Sequence, residues 1–292
     1  PEGTAPVARA YIQHGMHTMP QPVKLYYDGS FFRHESPQRG RYRELHQFGL
    51  EVLGEEDTIV DALIIRLFHA ILDELGFKNI AVQINSMGDD ESRSAYRKEL
   101  VTFYKKRFNS LCKDCKRRFR DNPFRLLDCK ETGCVELREE APQMIKSLSE
   151  VSTKRFKALL EFLDESNVPY FINPHLVRGF DYYTKTAFEI VSPELGAQNV
   201  IGGGGRYDGL VEECGGPPTP GIGWPGAAAT SPRTRSCLPS SRRSPAGRSS
   251  WSPSRPGRGM PWRSCAPSPA PRRASGRSPA PVRALRPAGG SL

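Results

Sequence analysis

Hydrophobic and polar positions alternate, or recur at helical spacing, along most of the first three quarters of the chain. "KLYYDGSFF" (24–32) alternates and is rich in aromatics, as strands are. "RELHQFGLEVLG" (43–54) repeats the pattern, so the two predict a β-hairpin. "DTIVDALIIRLFHAILDELGF" (57–77) carries apolar residues at helical spacing, with Asp57 as a predicted N-cap and Gly76 as a predicted stop. "NIAVQIN" (79–85) reads as a short buried strand. "ESRSAYRKELVTFYKKRF" (91–108) and "VSTKRFKALLEFLDESNV" (151–168) read as charged amphipathic helices around a cysteine-bearing loop. Strands return in "YFINPHLVRG" (170–179), "YYTKTAFEIVS" (182–192) and "NVIGGGGRYDGLVEECGG" (199–216). The fold class is therefore α/β (α+β). No run approaches the ~18 apolar residues of a membrane helix, so no membrane partner is expected.

These patterns divide the chain into residues 1–90 and 169–224 as two parts of one core, and 91–168 as a helical insertion. Residues 225–292 form a tail. The first residue is Pro1 and the opening reads as mid-domain sequence, so the chain is expected to begin inside a longer one. The net charge of +10 is a property of the tail, which holds 13 arginines and no Asp, Glu or Lys. Residues 1–224 carry 29 basic and 32 acidic side chains, or −3, so the basic balance is no nucleic-acid footprint for the core. The tail is nearly all Pro, Arg, Ser, Ala and Gly, too poor in apolar surface to offset the entropy of ordering. Two readings stand: a disordered basic tail, or a shifted reading frame in a GC-rich gene. The abrupt switch after an intact apolar strand favours the second.

Charge clusters within the hairpin. Along its second strand Arg43, Leu45, Gln47, Gly49 and Glu51 share one face, and His46, Phe48, Leu50 and Val52 the other, the expected core face. Gln47 and Glu51 flank a glycine, which predicts a small polar pocket with a bare floor. Arg33 and Glu35 share a face of the first strand, and Arg39 and Arg41 lie in the loop; guanidinium forks suit phosphate oxygens. Cross-strand ion pairs on a solvated hairpin explain the same pattern. In "LVRGFDYYTKTAFEIV" (176–191), Arg178 precedes an expected alternating strand, with Asp181 and Tyr183 on one face and Tyr182 and Thr184 on the other. The four glycines 202–205 are costly in a strand unless backbone must come close to something, and no Walker or Rossmann pattern surrounds them. Cys112, Cys115, Cys129 and Cys134 have the spacing C-x2-C-x13-C-x4-C, near that of a zinc ribbon. A structural Zn²⁺ site and four unrelated thiols both remain open.

"PEGTA", "FFRHESPQRGRYRELHQFG", "LVRGFDYYTKTAFE" and "GGGGRYDGLVEECGGPPTP", in this order, resemble histidyl-tRNA synthetase, a class II aminoacyl-tRNA synthetase. The resemblance spans nearly all of residues 1–224. It implies an antiparallel class II sheet core, ATP and Mg²⁺ as cofactors, and histidine, ATP and tRNA(His) as partners. It also implies a homodimeric, cytoplasmic enzyme that forms histidyl-adenylate before transferring histidine to tRNA. Arg33, in a motif 2-like Arg-x-Glu, would hold the α-phosphate, with Glu35 and Arg41 on the ATP side. Arg178 would reach the same phosphate and the substrate carboxylate. Glu2, Thr4, Gln47, Glu51, Tyr182, Tyr183 and Tyr207 would form the histidine pocket, and the glycine run the floor under the adenylate. Departures accompany the match. Ser36 stands where arginine is usual and Phe180 where leucine is usual; motif 1 and the anticodon-binding domain have no counterpart. "PGAAATSPRTRS" stands where motif 3 would place Glu-Arg. The expectation is an enzyme core with little or no turnover in this chain. Two rivals are a catalytically dead paralogue that senses histidine, like the regulatory subunit of ATP phosphoribosyltransferase, and an RNA-binding protein acting through its basic tail. The presence of Arg33, Arg41 and Arg178 argues against the former.

Overall fold

The computed structural model describes residues 2–34, 43–192 and 200–227. Glu35, Arg39, Arg41 and the tail from residue 228 lie outside the described residues. The centre is a seven-stranded sheet of order β1-β2-β7-β6-β5-β3-β4. Strands β1 (Val23–Phe32) and β2 (Glu44–Leu53) form the predicted hairpin, with Val23 opposite Leu53 and Phe32 opposite Glu44. Strand β7 (Gly221–Ala227) lies antiparallel between β2 and β6 (Val200–Arg206). Then come β5 (Thr184–Val191), β3 (Ala81–Gly88) and the edge strand β4 (Tyr170–Ile172), which alone runs parallel to its neighbour.

Helix α2 (Thr58–Glu74) begins where expected, because Asp57 accepts a hydrogen bond from the Ile59 amide at 3.0 Å. Gly76, just beyond it, has φ +85°, a conformation that favours glycine. The helix buries Ile64, Ile65, Phe68 and Leu72 against the sheet, beside α6 (Glu150–Glu165) with Phe156, Leu159 and Leu163. Trp224 of β7 seals this core: its ring stacks on Phe68 with centroids 3.8 Å apart and meets Phe48 edge-on at 5.3 Å. On the other face of the hairpin, α1 (Thr4–Gln13) packs Val7, Ala8 and Tyr11 against Leu25, Leu53, Tyr207 and the short helix α7 (Leu210–Glu213). Helices α3 (Asp90–Lys106), α4 (Lys113–Asp121) and α5 (Thr132–Glu139) build a core of their own around Tyr96, Leu100, Tyr104 and Met144.

Several local expectations are corrected. Both faces of β2 are covered, and the face carrying Leu45, Gln47 and Glu51 is the more buried; His46 is exposed and bonds Asp28 at 2.7 Å. Alternation alone could not show that α1 lies over that face. The floor at Gly49 is not bare, since the Tyr27 ring lies where a Cβ would stand. Of 170–179 only Tyr170–Ile172 is strand, and Asp181 and Tyr182 form a turn, so the next strand begins only at Thr184. The cysteine-bearing loop is largely helical, comprising α4, a 3₁₀ turn at Pro123–Leu126 and α5. Strand β7 runs past Trp224 to Ala227, into the sequence assigned to the tail.

Candidate functional site

The site starts from three elements that each deliver one oxygen donor or acceptor to the same buried point. Glu2 precedes α1, and its carboxylate accepts hydrogen bonds from the first-turn amides of Thr4 at 2.6 Å and Ala5 at 3.0 Å. A carboxylate there is favoured by the helix dipole. Thr4 then donates its hydroxyl to Glu51 Oε1 at 2.7 Å. The other oxygen, Oε2, accepts from the Tyr207 hydroxyl at 2.6 Å. Glu51 has no exposed surface, and burial pushes its carboxyl up to about 8 against the pull of those two hydroxyls. Room for it exists because its neighbour on β7 is Gly223, where a Cβ would fall on Oε2.

Aromatic rings enclose this carboxyl. Tyr27 wedges between Gly3 and Gly49. Tyr182 lies 4.7 Å from Tyr183 and 6.2 Å from Tyr207, centroid to centroid. The Arg178 guanidinium stands over the Tyr183 ring at 5.3 Å, which carries the cluster from Glu51 to a fixed positive charge. Arg178 donates to Glu189 Oε1 at 2.6 Å and to the Gly203 carbonyl at 3.1 Å. Glu189 is held by Gln83 at 2.7 Å, and Gln83 by Asn173 at 2.9 Å. The glycine run is needed here, because a Cβ at Gly203 would meet both the Phe188 carbonyl and the Arg178 guanidinium.

Four buried polar atoms of this cluster have no hydrogen-bond partner among the described residues: the hydroxyls of Tyr27 and Tyr182, Oε1 of Gln47 and Nε of Arg178. Buried polar atoms are ordinarily paired, so these four have bonding capacity that a polar ligand could fill. An acceptor that can ionise at one end, a guanidinium at the other and phenols between suit a small zwitterion with a hydrogen-bonding side chain. The fold thus brings together Glu2, Thr4, Gln47, Glu51, Tyr182, Tyr183, Tyr207 and Arg178. Arg33 leaves β1 at the far end of the hairpin, half-buried, its amide on the Arg43 carbonyl at 2.8 Å. The four cysteines also converge, but in the separate core of α3–α5. Sequence reasoning missed Tyr27, Gln83, Asn173 and Glu189. The signal for two of them was a polar residue amid apolar neighbours in "IAVQIN" and "TAFEIV".

A family model described as histidyl-tRNA synthetase matches residues 1–226. The chain is 51% identical over 224 residues to a histidine–tRNA ligase of Desulfitobacterium hafniense, covering 77% of this chain and 53% of that protein. It is 48% identical over 225 residues to one from Natranaerobius thermophilus, with the same coverage. The crystal structure of apo S. aureus histidyl-tRNA synthetase superposes with a TM-score of 0.65 at 37% identity, over 82% of this chain and 56% of that one. The chain spans about half the length of the curated relatives it matches. A match over residues 1–226, taking in every described residue of the site, shows that the chain belongs to the histidyl-tRNA synthetase family.

Proposed function

We propose that the protein is a histidine–tRNA ligase and that the cluster around Glu51 is its histidine pocket. The observation that carries this reading is Glu51 itself: fully buried, held by Thr4 and Tyr207, and ringed by unpartnered phenol and amide atoms. Gln47 and Glu2 offer acceptors for the α-ammonium. Glu51 and the tyrosine hydroxyls offer partners for both imidazole nitrogens. Arg178 takes the substrate carboxylate and then the α-phosphate of ATP. Its bonds to Glu189 and Gly203 support that role, because a donor fixed in advance costs little to reorganise as charge builds on the phosphate. The histidine carboxylate attacks the α-phosphorus and pyrophosphate leaves; the terminal ribose hydroxyl of tRNA(His) then attacks the activated carbonyl, and AMP leaves with the bond between carbonyl and phosphate oxygen. Magnesium carried by ATP would supply further neutralisation of the phosphate charge beside Arg178. Arg33, Glu35 and Arg41 serve the ATP side. The family further suggests a cytoplasmic homodimer.

The absence of any Glu beyond Glu213 leaves this chain without the Glu-Arg pair of motif 3, so we infer histidine binding with little turnover. Calorimetric titration with histidine, paired with histidine-dependent ATP–pyrophosphate exchange, tests both. Binding that Glu51→Gln weakens at least tenfold, with exchange far below that of a full-length relative, is the expected result. No binding by the wild-type chain would sink the pocket assignment, and exchange at the relative's rate would sink the inference about turnover.

A further inference from the structure

The four cysteines stand outside everything the histidine site uses. Cys112 is the N-cap of α4, Cys115 lies one turn into it, Cys129 follows the 3₁₀ turn and Cys134 lies in α5. Their sulfurs all lie within 4.8 Å of one another, and those of Cys112 and Cys129 are 3.9 Å apart. That spacing is far beyond the ~2.05 Å of a disulfide. It is close to the roughly 3.8 Å edge of a tetrahedron whose centre is ~2.3 Å from each sulfur, the Zn–S distance. We propose that Cys112, Cys115, Cys129 and Cys134 form a closed structural Zn²⁺ site that fastens α4 to α5.

Three features around the sulfurs support a thiolate site over a group of hydrophobic thiols. The backbone amide of Cys115 donates to Cys112 Sγ, and that of Cys112 to Cys134 Sγ, each at 3.4 Å. Amide-to-sulfur bonds of this kind orient metal-bound thiolates. The buried hydroxyl of Tyr104 and Nε of Arg138 have no hydrogen-bond partner among the described residues. Tyr104 lies in the same buried cluster as Cys115, Cys129 and Cys134. A Zn(Cys)₄ centre carries a net −2, and the segment from Lys105 to Arg138 supplies eleven basic side chains against five acidic ones. Binding would release the thiol protons to solvent and form four Zn–S bonds with no redox change. Zinc is chosen over ferrous iron because it lies higher in the affinity order for such ligands. Helices of nine and eight residues are marginal alone, and a metal staple is a common remedy for so small a core.

The test is elemental analysis of the 292-residue chain, purified without chelator from zinc-supplied cells. About one zinc per chain is expected. It should fall to background in Cys115→Ser and Cys129→Ser and stay unchanged in Cys214→Ser, which alters an exposed thiol outside the cluster. Should the serine variants fail to fold, cobalt reconstitution of the wild-type chain decides instead. The expected result is the intense visible absorption of tetrahedral cobalt thiolate, with four more reactive thiols appearing when a chelator strips the metal. Zinc below about a tenth per chain with no cobalt thiolate band would overturn the proposal. So would stoichiometric iron in place of zinc.

Discussion

Glu51 is a carboxylic acid with no exposed surface whose proton is held up to about pH 8 by burial. In the unfolded chain the same group loses its proton near the ordinary carboxylate value of about 4.3. Between those two values the folded chain holds a proton that the unfolded chain has released. This contribution to stability is therefore fully present below about pH 4 and is lost as pH rises toward 8. Urea melts of the wild type and Glu51→Gln across pH 5–8 should show the wild type losing stability relative to the variant as pH rises. Parallel curves would mean that Glu51 is already ionised at pH 5. The imidazole that Glu51 is proposed to hold can take up this proton and pair with the carboxylate, so histidine binding near pH 7 should release little proton to solvent. Calorimetry in buffers of different ionisation enthalpy checks this. Gln47 and Glu51 were legible from strand parity alone, whereas Thr4 and Tyr207 came only with the family resemblance. Glu189 and Gln83 were not legible as partners, since their bond joins residues 106 apart and local pattern carries no information at that range.

At the scale of elements, α2 is fixed to the sheet by charge as well as by apolar packing. Asp61 in its first turn is fully buried and accepts from Arg206 Nε at 3.0 Å and from the Thr186 hydroxyl at 2.6 Å. Arg206, equally buried, also reaches the carbonyls of Glu55 and Asp57. Removing the acid alone leaves a buried guanidinium without its main counter-charge, so Asp61→Asn should cost about 3–5 kcal/mol in chemical denaturation. Glu56→Ala breaks a bond from Lys185 to a carboxylate that is 67% exposed, and should cost ~1 kcal/mol or less. Equal costs would show that the Asp61 pair is solvated in solution. The helix itself was readable because its signals are local: a capping Asp57, apolar spacing and Gly76. The irregular segment Asp181–Tyr183 was not, because long-range partners hold it. Arg93 donates to the Tyr183 carbonyl at 2.9 Å, and Asn122 donates to the Asp181 carboxylate. Neither partner lies nearer than 59 residues.

At the scale of the whole molecule, α2 turns Ile59, Leu63 and Leu67 outward, 52%, 49% and 39% exposed at i, i+4 and i+8. An apolar stripe of that kind promotes association. Leu63→Lys with Leu67→Glu should lower self-association in light scattering while leaving the melting temperature nearly unchanged; unaltered scattering would place the adhesive surface elsewhere. The sheet order has another consequence, for the moment of synthesis. Strand β7 sits between β2 and β6, yet it is the last strand of the described chain to leave the ribosome. Until it arrives, the hairpin and the β6-β5-β3-β4 half have no strand to join them, and each exposes an open edge. The interval from Leu53 to Ala227, at ~5–20 residues per second, is on the order of 10–35 s. Glu51 belongs to one half and Tyr207 follows the other, so the pocket cannot close before that interval ends. A nascent chain stalled short of Gly221 should therefore be a better client for chaperones than one stalled beyond Ala227.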